Sequence, residues 1–348
     1  MMDKKYNTQL LPASAQPKDP AVEQAAKLLR QGELVAIPTE TVYGLAANAL
    51  DPDAVKKIFL AKGRPQDNPL IVHIASFEEI YPLVSKIPDK ARKLAETFWP
   101  GPLTMVLPRS NLVPDVVTAR LDTVAIRMPS HPVARAVIQA SGVPIAAPSA
   151  NLSGKPSPTT AHHCMEDLNG KIPLILDGGS CQVGVESTVV SLAGDIPRLL
   201  RPGAVTPEQL REVLGLIAVD PAVLEKVTEG PVASPGMKYM HYSPKATVIM
   251  VTGPWSACKD FLTQKQGDGV WALVFDEDLE DCPLPAISLG PRNNPAKQAQ
   301  NLFSALRELD EKQAQMVYAR APMEDGMGLA VYNRLIRAAG FSVIDLTD

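Results

Sequence analysis

A chain of 348 residues, 45% apolar and 21% charged, has the make-up of a globular protein of about two domains and excludes a disordered, collagen-like or coiled-coil chain. A net charge of −4 sets up no global field toward nucleic acid or a membrane surface. Four cysteines, none in a C-x-x-C pair or at zinc spacing with histidine, fit a reducing cytosol, and with no apolar run of 18 residues the protein is expected in the cytoplasm, without a membrane partner.

Residues 1–18 read as a loose N-terminal arm. Asp19-Pro20 opens a helix with a capping residue and a proline at its first position, and Gly32 stops it. A short apolar strand over 34–37 runs into Pro38. Helices are expected near 51–62, 88–98 and 133–141, and strands near 70–74, 103–107, 124–127, 144–147, 174–176, 188–192 and 198–200. A helix over 207–214 closes this part. Such alternation makes residues 19–215 an α/β domain. Residues 216–245, with the turn-forming run GPVASPG at 230–236, read as an ordered linker. Strand–helix alternation then returns over 246–348, which suggests a small, mostly parallel sheet. Residues 1–215 carry 22 basic and 21 acidic side chains, residues 246–348 carry 9 and 14, so the first domain is the better host for a phosphate site.

No P-loop, no complete G-x-G-x-x-G after a strand, no G-x-S-x-G and no H-E-x-x-H occurs. Anion chemistry would need another arrangement, and the sequence offers one. Lys62 and Arg64 flank Gly63 at a helix end, where they either converge on one polyanion or neutralise the helix C-terminus. Residues 148–157 (PSANLSGKPS) follow an apolar strand and suit phosphate or ribose contacts at a strand's C-terminal end, or form a plain polar turn. Arg127 and Arg201 each sit at a strand end, where an arginine either holds a carboxylate bidentately or forms a structural ion pair. His73 alternates with Val72 and Ile74, a core position or a pocket one. Threonines at 39 and 41, and the Glu186-Ser187-Thr188 segment, have the same double reading. Together these segments describe a pocket edge with several cations, several hydroxyls and few unpaired acids.

In this order, PTETVYGL (38–45), KGRPQDNPLIVH (62–73), WPGPL (99–103), TVAIRMP (123–129), PSANLSGKPSP (148–158), EST (186–188) and RPG (201–203) resemble the YrdC-like domain of threonylcarbamoyl-AMP synthases. SPGMKYMHYSP (234–244) and the region after it resemble the long, two-domain form. The resemblance implies a YrdC-like α/β domain with an open cavity, a linker acting as a lid, and a small Rossmann-like domain. It implies that L-threonine, bicarbonate and ATP are combined into L-threonylcarbamoyl-adenylate with release of pyrophosphate. A downstream transferase complex would then modify adenosine beside the anticodon of tRNA. ATP is a substrate here, Mg²⁺ would come with the nucleotide, and no protein metal site is implied.

Residue by residue, the resemblance places Lys62, Arg64, Ser149 and Asn151 around the phosphates and adenylate, with Lys62 and Arg64 as the catalytic pair. Asn68, Thr123, Ser157 and Arg201 match further nucleotide positions. Thr41, His73, Arg127 and Ser187 match the threonine pocket, with Ala147 as a backbone contact and Thr39 as the alternative to Thr41. Tyr242, with His241, would close over the nucleotide. Two other functions compete with this one. Carbamoyl transfer to another acceptor occurs in proteins with acylphosphatase and zinc-finger segments, which this chain lacks. An RNA-binding module without ATP turnover needs a basic stripe with stacking aromatics, and aromatics are only 5% here.

Overall fold

The computed structural model describes residues 6–16, 18–225 and 242–347. Eleven strands come first: β1 (Gln9–Pro12), β2 (Val35–Ile37), β3 (Gly44–Asn48), β4 (Ile71–His73), β5 (Leu103–Pro108), β6 (Thr123–Arg127), β7 (Ile145–Ala146), β8 (Leu174–Asp177), β9 (Thr188–Ser191), β10 (Arg198–Arg201) and β11 (Ala218–Val219). They form one mixed sheet in the order β1-β8-β2-β3-β7-β4-β6-β5-β9-β10-β11. The helices α1 (Pro20–Arg30), α2 (Pro52–Lys62), α3 (Asp89–Phe98), α4 (Asp115–Thr118), α5 (Pro132–Ser141), α6 (Ala161–Leu168) and α7 (Pro207–Leu214) connect them. Val22, Ala25 and Leu29 of α1 share one core with Val133, Ala134 and Val137 of α5. The apolar faces of α2, α3 and α6 enter a second, larger core.

A second sheet holds β12 (Thr247–Thr252), β13 (Val270–Val274), β14 (Ala286–Ser288), β15 (Met316–Arg320) and β16 (Val343–Asp345). Its order is β14-β13-β15-β12-β16 and every pairing is parallel. The helices α9 (Pro295–Glu311) and α10 (Gly328–Ala338) cover one face through Val248, Met250, Val317 and Ala319. Helix α8 (Trp255–Thr263) covers the other through Val251, Ala272 and Val274. Alternate residues of each strand serve opposite faces, as a sheet covered on both sides requires. Among the described residues no helix is long and apolar enough to cross a membrane.

Local signals in the sequence set the helix ends. Asp19 caps α1, its Oδ1 accepting from the N–H groups of Ala21 (2.9 Å) and Val22 (3.2 Å). Asp51 caps α2 in the same way, and Gly63, at φ 60°, ends it in the left-handed conformation. Asp19→Ala should lower unfolding free energy by about 1 kcal/mol with an unchanged denaturant slope. Urea unfolding checks this, and an unaltered midpoint would mean that the cap contributes nothing.

Several readings need correction. The N-terminal arm is not loose where it is described, because β1 pairs in parallel with β8, Gln9 opposite Leu174. Its side chains stay largely exposed, with Leu11 packed on the α1–α5 core, so hydropathy carries little trace of a pairing made mainly by the backbone. The stretch read as the start of the linker supplies β11, which extends the first sheet beside β10. Residues 44–48, to which the sequence reading gives no element, form β3; its sequence, GLAAN, has weak strand propensity, and pairing with β2 and β7 on both sides overrides it. Helix α6 and the short strands β14 and β16 also escaped a reading by periodicity. The GPVASPG run and His241 lie outside the described residues.

The second unit packs on the first through α9 and α10. Gly184, at φ 85°, lies so close to α9 that a Cβ would come within 2.4 Å of the Ala299 carbonyl oxygen. From α9, Arg307 donates to Asp167 Oδ2 (2.8 Å) and to the Pro156 carbonyl (2.7 Å). From α10, Asn333 donates to the Val223 carbonyl (2.6 Å).

Candidate active site

A cleft of about 730 Å³, counting its open mouth, lies on the first sheet. Ile71 and His73, two residues apart on β4, both line it, so part of its wall is a strand face and not only strand tips. His73 pairs in register with Arg127 on β6, which puts the imidazole and the guanidinium side by side. Among the described residues, Lys62, Arg64, Arg127, Lys155 and Arg201 line the cleft, against one acid, Glu186. Such a wall attracts anions and focuses their approach.

One wall is built on Arg127. Its side chain is buried; Nη1 donates to Thr41 Oγ1 (2.8 Å) and Nε to the Gly101 carbonyl (3.3 Å). Nη2 lies 2.7 Å from Glu40 Oε1, an ion pair in which both side chains are almost wholly out of solvent. Burial, the largest influence, pushes the Glu40 carboxyl upward, but the Arg127 charge together with hydrogen bonds from Arg127 and the backbone holds the group below its usual range. Thr39 and Thr41 both line the cleft, 2.9 Å apart at their hydroxyls, and Thr39 donates onward to the Val42 carbonyl. Burial first, and the Arg127 charge second, bring the His73 pKa down to about 3, so the ring is neutral at pH 7. The Ala147 N–H is taken by the Ile71 carbonyl at 3.0 Å, which leaves only its carbonyl to meet a ligand through the backbone.

A second wall is the Lys62–Asn151 corner. Lys62, at the end of α2, is buried, and its ammonium donates to the carbonyls of Ser149 and Asn151 and to Asn151 Oδ1. These contacts occupy its three N–H groups. Asn151 returns two bonds, to the Leu152 and Lys155 carbonyls, and so fixes the loop. Burial and then the nearby Arg64 hold the Lys62 pKa well below the usual lysine range. Arg64 is tethered more loosely, by long contacts from Nη2 to the Asn68 (3.5 Å) and Pro69 (3.4 Å) carbonyls, while its Nε has no partner.

A third wall carries Ser187 and Arg201. Ser187 Oγ lies 2.7 Å from Thr104 Oγ1 and accepts from Arg201 Nη2 at 3.2 Å. Gly203 lets the Arg201 loop lie against Thr188, where a Cβ would come within 2.4 Å of the Thr188 nitrogen. Burial brings the Arg201 pKa down to about 10, as it does for Arg64. Tyr242 completes the lining; its ring packs on Phe303 of α9, with centroids 5.3 Å apart, and its backbone takes φ 65°.

Thus Lys62, Arg64, Ser149, Asn151, Arg201, Tyr242, Thr41, His73, Arg127, Ala147 and Ser187 come together in one cleft. Asn68, Thr123 and Ser157 do not line it. The Asn68 carbonyl backs Arg64, and Ser157 is buried behind Glu186, to whose Oε1 it donates. Thr123 begins β6 and Arg127 ends it, so the two lie about 13 Å apart along the strand. Sequence reasoning passed over Glu40, although it stands inside the PTETVYGL run. It also gave no role to Glu186 or to Arg334 of α10, which binds Glu186 at 2.9 Å.

A mixed sheet carrying a cation-lined cleft, backed by a parallel α/β unit, defines an α/β protein with a site suited to anionic ligands. Residues 27–203 match the Sua5–YciO–YrdC family, described as telomere recombination, and residues 205–340 match the threonylcarbamoyl-AMP synthase C-terminal domain. The threonylcarbamoyl-AMP synthases of Pyrococcus abyssi and Bacillus subtilis are each 50% identical to this chain, over 92% and 94% of it and 94% and 95% of their own lengths. The crystal structure of P. abyssi Sua5 complexed with L-threonine is 46% identical, covers 98% of this chain and 99% of its own, and superposes with a TM-score of 0.88. The chain belongs to the Sua5–YciO–YrdC family, in its two-domain threonylcarbamoyl-AMP synthase form.

Proposed function

We propose that the cleft joins L-threonine, bicarbonate and ATP into L-threonylcarbamoyl-adenylate and pyrophosphate. The observation that carries this is the convergence, in one cleft, of an Arg127–Thr41–His73 wall with a Lys62–Arg64 corner and Arg201. One amino-acid carboxylate and one polyphosphate, which repel in water, can be held there together. Arg127 and Thr41, with Ser187 and Ala147 beside them, receive the carboxylate and amine of threonine. Neutral His73 packs against this end without adding charge.

Bicarbonate carbon takes the threonine nitrogen, water leaves, and a carbamate forms. A carbamate oxygen attacks the α-phosphorus, and the bond from that phosphorus to the bridging oxygen breaks as pyrophosphate departs. No side chain need act as nucleophile. Holding the two anions in line supplies much of the rate, and the cations offset charge developing on the leaving group. Arg64 and Arg201 face the phosphates, Ser149 and Asn151 form the loop beneath them, and Tyr242 covers the nucleotide. Lys62, with its donors already engaged, acts by shaping that loop and by its charge. Asn68 and Ser157 act from behind, through Arg64 and Glu186, and Thr123 takes no direct part in this cleft. Mg²⁺ arrives with ATP, and the product passes to a transferase that acts on tRNA. Relatives of 50% identity carry the synthase name, so neither RNA binding without turnover nor carbamoyl transfer to another acceptor is favoured.

Pyrophosphate release from ATP should require both L-threonine and bicarbonate. A coupled phosphate assay with each omitted in turn decides it; release that continues undiminished without threonine would refute the proposal.

A further inference from the structure

Among the described residues, Glu186 is the one acid lining a cleft rich in cations, and it is buried. An uncompensated carboxylate there would oppose the charge of a triphosphate across a medium of low dielectric. Arg201 offsets part of this charge, and the cation that offsets more of it comes from the other unit. Arg334, on α10 and fully out of solvent, donates from Nε to Glu186 Oε2 (2.9 Å) and from Nη2 to the Glu186 carbonyl (3.2 Å). Its Nη1 reaches the Pro202 carbonyl (2.7 Å), on the loop just after Arg201. Its guanidinium carbon stands 5.9 Å from the centre of the Tyr242 ring. Arg334 therefore touches the Glu186–Ser187 segment, the Arg201 loop and the ring of Tyr242, yet does not itself line the cleft.

We propose that Arg334 is a positioning residue: it neutralises Glu186 and ties the Ser187 and Arg201 loops together, so that the second unit sets the charge and shape of the nucleotide end. This inference rests on the synthase reading above.

The test compares wild type, Arg334→Met, Arg334→Lys and the double variant Arg334→Met/Glu186→Gln by threonine-dependent pyrophosphate release. Thermal unfolding is followed in parallel. Arg334→Met should raise the KM for ATP about tenfold, as expected for groups in direct contact, and that for threonine much less. Removing the orphaned charge in the double variant should return most of the ATP affinity, although thermal stability stays low. Arg334→Lys keeps the charge and should stay nearer to wild type than Arg334→Met. A purely structural role predicts that the double variant is no better than Arg334→Met, and that result would overturn the inference. Wild-type ATP kinetics in Arg334→Met would also overturn it. Should Arg334→Met not fold, the ATP KM of Arg334→Lys and the double variant decides: near wild type in both supports the inference, tenfold raised in both ends it. Failure of wild type itself to depend on threonine would strike the synthase reading instead.

Discussion

Arg127→Ala should raise the threonine concentration needed for half-maximal turnover by at least about thirtyfold, while the ATP requirement moves far less. Truncating one member of a buried charge pair costs about 2–5 kcal/mol of binding, and each 1.4 kcal/mol is about tenfold. The proposed division of the cleft assigns the loss to threonine, because the guanidinium binds Thr41 rather than the Lys62–Asn151 corner. The same change leaves Glu40 buried without its cation, 2.7 Å from where Nη2 stood. A broken buried pair costs roughly 3–5 kcal/mol of stability.

That stability loss has a definite pH dependence. In wild type the Glu40 pKa is lowered despite burial, so its contribution is present above the unfolded carboxyl value and fades as pH falls through the folded one. Without Arg127, burial is opposed only by the smaller pull of backbone hydrogen bonds from Glu40 and Ser130, and the group rises. The variant's deficit should therefore be full at pH 7 and narrow on acidification, as Glu40 takes up a proton. Adding Glu40→Gln should recover part of the stability and none of the threonine affinity. Titrations of both substrates, with urea unfolding at two pH values, check these outcomes. An ATP affinity that suffers as much as that for threonine would contradict the division of the cleft.

Arg64→Ala should lower turnover by about 10²–10³, the effect expected on removing one preorganised donor from developing charge. It should leave the unfolding midpoint nearly unchanged. The side chain is held only by contacts of 3.4 and 3.5 Å, and one of its nitrogens has no partner, so the fold loses little with it. Lys62 provides the contrast. Its ammonium satisfies the Ser149 and Asn151 carbonyls, and Lys62→Met should cost stability as well as turnover, because both carbonyls lose a buried donor. Activity in Arg64→Ala equal to wild type would remove that residue from the phosphate end. Equal stability losses in the two variants would erase the distinction drawn between them.

Much of the site was legible because its signals are local. The Gly63 break sets Lys62 at the end of one helix and Arg64 just past it, and Arg127 and Arg201 end strands whose other residues are mostly apolar. The small polar run after β7 marks a loop, and motif order carried the rest. Asn68, Thr123 and Ser157 show the limit of that legibility. They share segments with cleft residues, but one faces inward behind Arg64, one begins a strand whose far end meets the cleft, and one is buried against Glu186. A segment's membership in a site does not fix which of its side chains points into it.

The sequence by itself determined the helix caps and stops, the α/β alternation, the residue types that gather at the cleft and the family they belong to, because each is written in neighbours a few positions apart. Only the tertiary structure decided that β1 joins the first sheet, that Lys62 is spent on its own loop, and that Arg334 answers Glu186 from 148 residues away. The physical reason is that partnership and burial are properties of packed surfaces. A charge's partner is whichever group the fold presses against it, and no periodicity along the chain records that choice.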